Sequence, residues 1–374
     1  MENFKLLQIV PSLISGGVER GTIDLSNYLS EKNIKNYIAS SGGILLNQLN
    51  NKNSYHIKLS LDSKNFLKYF FLAKQLEDKI INNGINIVHL RSRAPAWLLP
   101  FINKSNIKTV STFHNIYGNQ NKIKYFYNKQ LGNVNSIVAI SEYVKREIIK
   151  QYSLQEQKIS VINRGCDTSF FNPKKIESNQ IQKFISKFKI PLNKKIILFP
   201  GRYTEWKGQV DFLDIVNYFI EKDYIFVFVG DSKNTSYKNK FIKTIKKKNL
   251  ENVCLVLDNM SSYELRNMYY ISKIIISAPL KPEGFGRVIS ESLSMKKIIL
   301  AYNYGGAKDQ LNKLDDIYKI QPNNKKELMK KIEMFIDIDN QEHENLAEES
   351  RSHIVKFFSN EIMLNKYFEL YLNL

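Results

Sequence analysis

The sequence predicts an α/β protein made of two doubly wound, Rossmann-like domains that face each other across a central cleft. Three observations support this prediction. At 374 residues the chain is too long for one ordinary core, so two domains are expected. Apolar runs of strand length alternate with helical segments along the whole chain. This alternation stops in the stretch "GCDTSFFNPKK" at 165–175 and then starts again.

The first domain contains apolar runs that are typical of buried parallel strands. Helical segments separate them, and within residues 17–31 a helix would carry apolar side chains along one face. The residues of that face are Val18, Thr22, Leu25 and Leu29. The predicted strands of this half lie at 4–10, 85–90, 107–113 and 135–141.

The second domain repeats the pattern after Asn172-Pro173, where we place the boundary between residues 1–172 and residues 173–356. Its strand-like runs are each followed by a helical stretch. They lie at 194–201, 224–230, 252–257, 272–278 and 296–302. The last segment, 342–374, is predicted to be helical, and its aromatic side chains need a surface to cover.

The composition is that of a globular protein, with 43% hydrophobic and 24% charged residues. No window reaches the roughly 18 uninterrupted apolar residues that a membrane span needs, and the N-terminus is not typical of a signal peptide. The two cysteines, Cys166 and Cys254, stand far apart and without a neighbouring metal-ligand pattern. We therefore expect a cytoplasmic protein without a structural metal.

The net charge of +19 indicates an anionic partner. Residues 1–172 carry 22 Lys and Arg against 11 Asp and Glu, so the first domain holds +11 of this charge. Nucleic acid, an anionic membrane surface and a phosphorylated substrate each suit a basic protein. Because the sequence has no RRM, KH, helix-turn-helix or zinc-finger signature, we do not expect a nucleic-acid partner.

Four strand ends of this fold carry candidate site residues, because helix N-termini and unsatisfied N–H groups attract anions there. In "VPSLISGGVERG" (10–21), Gly16 and Gly17 let the backbone approach a ligand closely before a helix starts. The pair predicts either a contact to a diphosphate or an acceptor, or a plain strand-to-helix turn. The spacing is not G-x-G-x-x-G, which disfavours a dinucleotide-dependent dehydrogenase.

Two further strand ends of the first domain carry a histidine and two arginines. His114 follows a strand directly, where it can hydrogen-bond a substrate hydroxyl or, equally, cap a loop. Arg91 and Arg93, in "HLRSRAPAW", can steer a phosphorylated acceptor or simply be solvated.

The first strand of the second domain leads into "PGRYTEWKGQ" (200–209), where Arg202 and Lys207 flank a short loop before a helix. An arginine fork and a lysine charge at a helix start suit a diphosphate. The alternative is a pair of solvated surface cations.

The stretch "PEGFGRVISESL" (282–293) places Glu283 in a Gly-Phe-Gly turn and Glu291 in the helix that follows. A fully helical separation of eight residues is roughly 12 Å, which is longer than the spacing of the two carboxyls in a glycoside hydrolase. Because the turn shortens this distance, the spacing disfavours a hydrolase without excluding it. Two separate roles fit the acids better, one on the sugar and one on the ribose of a nucleotide-sugar. Arg287, four residues before Glu291, is an ion-pair partner or a further phosphate contact.

With these motifs in this order, nearly the whole chain resembles the family-4 glycosyltransferases, which have the GT-B fold. The resemblance rests on "SGGVERG", "FHN", "VINRGCDTSFFNP", "GRYTEWKG" and "EGFGRVISE" followed by "YNYGG". It implies retaining transfer of a hexosyl group from a nucleotide-diphosphate sugar, without a metal or other cofactor. "GGVERGT", "LRSRAPAW" and "EGFGRV" are similar to a bacterial subgroup associated with cell-envelope glycans such as lipopolysaccharide. That narrower resemblance implies a glycan or lipid-linked acceptor.

The resemblance also implies roles for individual residues. Arg202 and Lys207 would hold the diphosphate and offset the charge of the leaving group, with His114 beside the donor sugar. Together with Glu283 they form the implied catalytic set. The helix at 357–374 would pack back on the first domain, and domain closure would complete the site. The implied donor-binding set is Gly16, Gly17, Arg202, Lys207, Glu283, Gly284, Phe285, Gly286 and Glu291.

Two positions depart from the family pattern, and one motif stands apart from it. Arg287 and Cys166 occupy positions where many members of the family carry aliphatic residues. A D-x-D, formed by Asp337 and Asp339, lies between two helical segments and away from any strand end. We interpret it as solvated and not as a metal site.

The segment 119–133 interleaves lysines with aromatic residues after the His114 loop. Such a pattern is typical of an interfacial helix on an anionic bilayer, and also of a core-facing helix with solvated lysines. On the first interpretation the first domain docks peripherally on the inner face of the cytoplasmic membrane to reach its acceptor. The residues assigned to the acceptor or membrane side are Arg91, Arg93, Lys122, Lys124, Tyr125 and Phe126.

Two other classes of function remain open from the residues alone. A sugar phosphorylase or a nucleotide-sugar epimerase can be built on the same fold with different chemistry. A basic nucleic-acid-binding protein is the non-enzymatic alternative, and it predicts one contiguous basic stripe. Charge that is spread over both domains, with acids at strand ends, disfavours that alternative.

Overall fold

In a computed structural model, the chain forms two compact units. The structure describes residues 4–14, 16–62, 68–118, 121–191, 193–231 and 235–374. Unit 1 comprises Met1–Arg164 together with Glu361–Leu374, and unit 2 comprises Gly165–Asn360. Each unit is built on its own parallel sheet with helical crossovers, so the predicted α/β fold class of two Rossmann-like domains is confirmed.

Unit 1 is built on seven parallel strands in the order β3-β2-β1-β4-β5-β6-β7. The strands are Leu6–Ile9 (β1), Asn36–Ser40 (β2), Ser54–Lys58 (β3), Ile87–Leu90 (β4), Lys108–Phe113 (β5), Ser136–Ala139 (β6) and Ile159–Val161 (β7). All four strands predicted for this half are present, as β1, β4, β5 and β6. The strand order reverses between β1 and β4, and a crevice forms at such a switch point at the carboxyl ends of the strands.

The first helices of unit 1 cross over between these strands. They are Gly17–Glu31 (α1), Lys68–Asn83 (α2), Lys122–Lys129 (α3) and Glu142–Tyr152 (α4). Helix α1 buries Thr22, Leu25 and Leu29, as its apolar spacing predicts. Helices α3 and α4 each begin at a side-chain cap, because Asn121 and Ser141 accept hydrogen bonds from backbone N–H groups in the first turn.

Unit 2 repeats this plan with six parallel strands in the order β10-β9-β8-β11-β12-β13. The strands are Lys195–Pro200 (β8), Tyr224–Val229 (β9), Cys254–Leu257 (β10), Ile274–Ser277 (β11), Ile298–Tyr302 (β12) and Lys319–Ile320 (β13). The helices are Ser178–Phe188 (α5), Gln209–Tyr218 (α6), Thr235–Lys247 (α7), Ser262–Ile271 (α8), Arg287–Ser294 (α9), Gly306–Leu311 (α10), Lys325–Ile336 (α11) and Asn340–Phe358 (α12). Its switch point falls between β8 and β11.

The core of unit 2 is rich in aromatic side chains. Phe199, Phe212, Phe228 and Phe241 are buried together, and the rings of Phe228 and Phe241 are 4.8 Å apart. Burying one such side chain stabilises a fold by roughly 1.5–3 kcal/mol. Phe199 lies on β8, so this packing fixes the position of β8, and the loop that contains Arg202 and Lys207 follows this strand.

The boundary between the units lies at Arg164–Gly165, eight residues before Asn172-Pro173. Segment 165–172 belongs to unit 2 because its carbonyl groups accept hydrogen bonds from two arginines of that unit. Arg351 donates to the carbonyl oxygens of Thr168 (3.1 Å) and Phe171 (2.9 Å), and Arg266 donates to that of Phe170 (3.3 Å).

The C-terminal segment, predicted to be helical over 342–374, forms two helices. Helix α12 ends at Phe358, and Asn360–Leu372 (α13) follows. Between them, Ser359 is extended and pairs in parallel with Cys166. This pairing interrupts the helix. Residues Met363, Leu364, Tyr367 and Tyr371 of α13 then complete the core of unit 1 with Phe4, Leu6, Leu25 and Leu29.

Candidate active-site residues

The candidate residues of each unit follow the strands that border its switch point. In unit 1 these strands are β1 and β4, and Gly16, Gly17 and Arg91 come after their carboxyl ends. In unit 2 they are β8 and β11, after which Arg202 and Glu283 follow. Ligands of open α/β sheets bind at this position because helix N-termini converge there.

In unit 2, Lys207 and Glu283 form an ion pair. The Nζ atom of Lys207 lies 2.5 Å from Oε1 of Glu283, and the two side chains are only 12% and 17% exposed. Gly208, with φ of 80°, turns the chain directly after Lys207. The two residues are 76 positions apart in the sequence. Only the fold therefore brings Lys207, which we predicted to bind the diphosphate, next to Glu283, which we predicted to bind the sugar.

The Gly-Phe-Gly turn is held by the "YNYGG" motif. The N–H of Gly306 donates to the carbonyl of Glu283 (2.8 Å), and a Cβ on Gly305 would lie 2.6 Å from that same oxygen. Gln310 donates to the carbonyl of Phe285 (2.6 Å). The glycines are therefore needed for close backbone packing, which positions Glu283. Gln310 is a supporting residue that the sequence analysis missed.

Glu291 lies on α9 and is 6% exposed. The hydroxyl of Tyr269 donates to its Oε2 atom (2.9 Å), while Nε of Arg287 lies 3.8 Å from Oε1. Burial raises the pKa of Glu291, and the charge of Arg287 and the Tyr269 hydrogen bond act against that rise. Arg287 is thus placed as the i,i+4 partner of Glu291, with a side chain that is 53% exposed. Tyr269 was missed because nothing in the sequence shows that α8 packs on α9.

Arg202 is exposed in the loop after β8. Its carbonyl accepts a hydrogen bond from the side chain of Gln209 (2.9 Å), which holds the loop. Within the described part of the chain, its guanidinium makes no salt bridge. The loop is therefore fixed while the cationic group remains accessible to a ligand.

In unit 1, Gly16 has φ of 123° and brings no side chain to cap α1. Gly17 opens the helix, and its carbonyl accepts a hydrogen bond from Arg164. A Cβ on Gly17 would lie 3.1 Å from Nη2 of Arg164. The two glycines therefore leave the start of α1 without a side-chain cap and make room for the guanidinium of Arg164. Arg164 was not among the residues predicted from the sequence.

His114 directly follows β5, and its Nδ1 atom lies 3.3 Å from Nη1 of Arg164. Its Nε2 atom is enclosed and has no hydrogen-bond partner among the described residues. Burial first, and then the charges of Arg91 and Arg164, hold the pKa of His114 well below its usual value. The imidazole is therefore neutral near pH 7, and a neutral imidazole has one nitrogen that donates and one that accepts a hydrogen bond.

Arg91 and Arg93 have different surroundings. Arg93 donates to the side chain of Asn128 (2.9 Å) and stacks over the ring of Tyr117 at 4.1 Å, so it is engaged within unit 1. Arg91 is 2% exposed, which excludes the solvated alternative for it.

The basic and aromatic segment after the His114 loop forms α3, and its first residues, Asn119 and Gln120, lie outside the described residues. The side chains of Ile123 and Phe126 are exposed, beside the exposed Lys122 and Lys124. Tyr125 is half-buried. The side chains of Ile123 and Phe126 therefore do not face a core, whereas the ring of Tyr125 packs against that of the buried Tyr152.

The two carboxylates of the D-x-D have structural roles in unit 2. Asp337 pairs with Lys195, and Asp339 caps α12 by accepting hydrogen bonds from two backbone N–H groups. In the described ranges, no group of three or more His, Cys, Asp or Glu side chains is arranged to hold a metal ion. None of the helices there is long and apolar enough to cross a bilayer.

Comparison with known proteins identifies the class of protein to which this chain belongs. Residues 15–170 match the family model for Glycosyltransferase Family 4, and residues 180–353 match that for glycosyl transferases group 1. A solved glycosyltransferase from Rickettsia africae ESF-5 is 35% identical, with 99% of this chain and 98% of that chain covered and a TM-score of 0.89. The protein is therefore a glycosyltransferase. It belongs to family 4 and has the GT-B fold.

Two more distant relatives extend the comparison. The capsular polysaccharide biosynthesis glycosyltransferase CapM of Staphylococcus aureus is 24% identical over 388 residues, covering 99% of this chain and 97% of CapM. The Anabaena protein Alr3699/HepE, crystallised with UDP and glucose, is 17% identical with a TM-score of 0.82, and both chains are covered completely. The second likeness shows the fold alone.

Proposed function

We propose that the protein is a retaining, metal-independent glycosyltransferase that moves a sugar from a nucleotide-diphosphate sugar to a cell-envelope glycan or a lipid-linked acceptor. The observation that carries the proposal is the switch point of unit 2. There an accessible arginine, a lysine–glutamate pair and a second, buried glutamate occupy separate positions. The names of CapM and of the UDP complex of HepE support the donor class and the kind of product.

The Lys207–Glu283 pair suggests how the donor is received. A diphosphate is a stronger partner for Lys207 than a single carboxylate, so donor binding would draw the ammonium toward the phosphates. Glu283 would then be released to accept hydrogen bonds from sugar hydroxyls. Arg202 would complete the charge that stabilises the departing diphosphate.

Glu291 is suited to the ribose. Tyr269 occupies only its Oε2 atom, so Oε1 remains to accept a hydrogen bond from a ribose hydroxyl. The acceptor oxygen would then form a bond to the anomeric carbon from the face that the diphosphate leaves. The bond between that carbon and the diphosphate oxygen breaks, and a diphosphate oxygen takes the acceptor proton. His114, neutral, would hydrogen-bond a hydroxyl of the sugar.

The first test is thermal unfolding of the purified chain against a panel of UDP-, GDP- and ADP-sugars. A ligand at 100 times its dissociation constant adds about 2.7 kcal/mol of stability. We expect one nucleotide class to stabilise the wild type but not Glu291→Ala or Arg202→Ala. Lys240→Ala, an exposed lysine of α7, serves as the control and should respond as the wild type does. A folded protein that no nucleotide-sugar stabilises would refute the proposal.

Turnover in EDTA and the anomeric configuration of the product, read by NMR, test the finer statements. Retained activity with retained configuration is expected. Loss of activity that Mg²⁺ or Mn²⁺ restores would contradict metal independence, and an inverted product would contradict retention.

We also propose that α3 makes peripheral contact with an anionic membrane, because exposed apolar and basic side chains lie together on it. Co-sedimentation with phosphatidylglycerol vesicles should be weakened in Lys122→Glu/Lys124→Glu. The matched control is Lys246→Glu/Lys247→Glu at the end of α7, which should bind as the wild type does. Equal binding of all three proteins, or none at low salt, would exclude this contact.

A further inference from the structure

Arg91 carries a buried charge that nothing in the described residues neutralises. It follows β4, and its backbone N–H donates to the carbonyl of Ile9 (2.9 Å). Its Nε and Nη1 atoms are buried and have no hydrogen-bond partner in the described ranges, and no carboxylate there lies within 4.0 Å. The guanidinium carbon lies 5.4 Å from the centroid of the Tyr367 ring. A buried cation without a counter-charge is strongly destabilising, so the fold keeps this charge at a cost.

A second guanidinium lies against the same part of α1. Nη2 of Arg91 and Nη2 of Arg164 lie 3.4 Å and 3.5 Å from the position that a Cβ would take on Gly21. Arg164 also reaches Gly17, one helical turn earlier, and donates to its carbonyl. The glycines at 17 and 21 leave room for two like charges on one face of the helix. Their mutual repulsion adds to the cost of burying Arg91.

The nearby groups do not supply a compensating negative charge. Burial and the charge of Arg91 hold the pKa of both His89 and His114 well below the usual value, so both imidazoles are neutral at pH 7. The acid in the first turn of α1, Glu19, lies against Gly16. The Oγ atom of Ser111, which lies opposite Leu90 in the sheet, is buried and lacks a partner among the described residues. The imidazole of His114 and the hydroxyl of Ser111 can therefore donate hydrogen bonds to an incoming ligand without reducing the positive charge.

We propose that Arg91 and Arg164, beside the uncapped start of α1, bind a phosphoryl group carried by the acceptor. This inference rests on the proposed glycosyltransferase function. Two guanidinium groups and a helix N-terminus are the donors that a phosphate prefers. The position at the switch point between β1 and β4 is the one at which ligands of such sheets bind.

The charges favour the acceptor as the source of this phosphoryl group. Unit 2 has its own accessible arginine and lysine, Arg202 and Lys207, for the diphosphate of the donor. Arg91, in contrast to the exposed Arg202, is buried in unit 1 against the second turn of α1 and the ring of Tyr367. If the donor diphosphate binds Arg202 and Lys207, the buried charge of Arg91 needs a second oxyanion. The acceptor is the remaining substrate that can supply it.

The test is thermal unfolding of the full chain with increasing inorganic phosphate at constant ionic strength. We expect phosphate to raise the unfolding midpoint of the wild type, of Arg202→Ala and of the control Arg146→Met, which removes an exposed arginine of α4. It should not raise that of Arg91→Met/Arg202→Ala, in which the phosphate contact of unit 2 is also removed. Without phosphate, Arg91→Met should be at least as stable as the wild type, because an uncompensated charge has been removed. A purely structural arginine would give the opposite result, which is a destabilised variant and a wild type that does not respond to phosphate.

A second measurement separates the two sources of the phosphoryl group. The affinity for a nucleoside diphosphate, measured by calorimetry, should fall at least tenfold in Arg202→Ala and change less than about threefold in Arg91→Met. Equal losses in both variants would place the donor diphosphate on Arg91 and overturn the acceptor assignment. If Arg91→Met does not fold, Arg91→Lys replaces it, because lysine keeps the charge but loses the planar fork. Phosphate stabilisation that is unchanged in Arg91→Lys would then overturn the site.

The outcomes also separate this inference from the proposed function. Phosphate stabilisation that depends on Arg91, in a chain that binds no nucleotide-sugar, would refute the proposed nucleotide-sugar donor and the acceptor assignment but keep the oxyanion site. Nucleotide-sugar binding without a phosphate response would refute the oxyanion site alone.

Discussion

In unit 2 the part-buried lysine at the switch point lies beside an acid, whereas in unit 1 two arginines lie beside each other and beside neutral histidines. Lys207 pairs with Glu283, and Arg287 lies beside Glu291. Arg91 and Arg164 share the space beside Gly21. The two units have the same kind of sheet and place their candidate residues at equivalent positions, so the difference lies in charge balance and not in architecture.

The charge balance therefore affects how each unit receives a ligand. In unit 2 the part-buried charges of Lys207 and Glu283 balance each other without a ligand, so binding exchanges one partner for another and changes the buried charge little. In unit 1 a positive charge is already buried, so an anion that binds there relieves a cost that the fold has already met. Four measurements test this difference between the units.

The largest effect is expected at the Lys207–Glu283 pair. Lys207→Met should lower kcat by roughly 10²–10³-fold, because one donor to the leaving diphosphate is lost. It should also destabilise unit 2, since Glu283 loses its partner. The double variant Lys207→Met/Glu283→Gln should recover stability but not activity. Kinetics and denaturant unfolding of the cycle give the coupling energy, and additive stability changes would mean that the pair contributes nothing.

The next effect concerns the hydrogen bonds of the buried His89 in unit 1. Its Nδ1 atom lies 2.6 Å from the hydroxyl of Tyr371, so Tyr371→Phe should destabilise the protein by about 1–3 kcal/mol. Tyr367→Phe is the matched control, because its hydroxyl makes only a longer contact of 3.2 Å to Thr112. Urea unfolding measures both variants. A smaller loss for Tyr371→Phe than for the control would contradict the assigned network.

The pH dependence of stability should have opposite signs in the two units. The pKa of His114 is lowered in the folded state, so its contribution to the free energy of unfolding is present above about pH 6.5 and is lost as the pH falls. The pKa of Glu291 is raised in the folded state, so its contribution to the free energy of unfolding is present below about pH 4.5 and is lost as the pH rises.

Unfolding free energies of His114→Gln and Glu291→Gln, each compared with the wild type across pH 4–8, test these signs. Relative to the wild type, His114→Gln should gain stability on acidification, and Glu291→Gln should gain it as the pH rises from about 4.5. Each slope is at most about 1.4 kcal/mol per pH unit. Differences that do not change with pH would contradict the assignment.

The smallest effect is expected for Arg287→Ala. Its side chain is 53% exposed and 3.8 Å from Glu291, so the stability loss should stay below about 1 kcal/mol and KM for the donor should change little. A tenfold rise in KM would instead make Arg287 a phosphate contact of unit 2.

Much of the fold was predictable because buried parallel strands are continuous apolar runs. All nine strand-like runs that we named are strands, and α1 has the predicted bounds of 17 and 31. Strands β2, β3 and β7 lack this signal. β3 and β7 are partly exposed, and β2 buries Asn36, whose side chain bonds to Ser54 (2.9 Å). The break at Ser359 was also hidden, since its cause is a pairing with Cys166 almost two hundred residues earlier.

By itself the sequence determined the α/β class, the family and the candidate residues that follow the strand ends, because apolar periodicity and turn chemistry are local properties of the chain. Only the tertiary structure decided which of these residues meet. It paired Lys207 with Glu283 and Tyr269 with Glu291, engaged Arg93 with Asn128 and buried Arg91 beside Gly21. The physical reason is that charge, burial and pKa depend on neighbours that sequence spacing does not reveal.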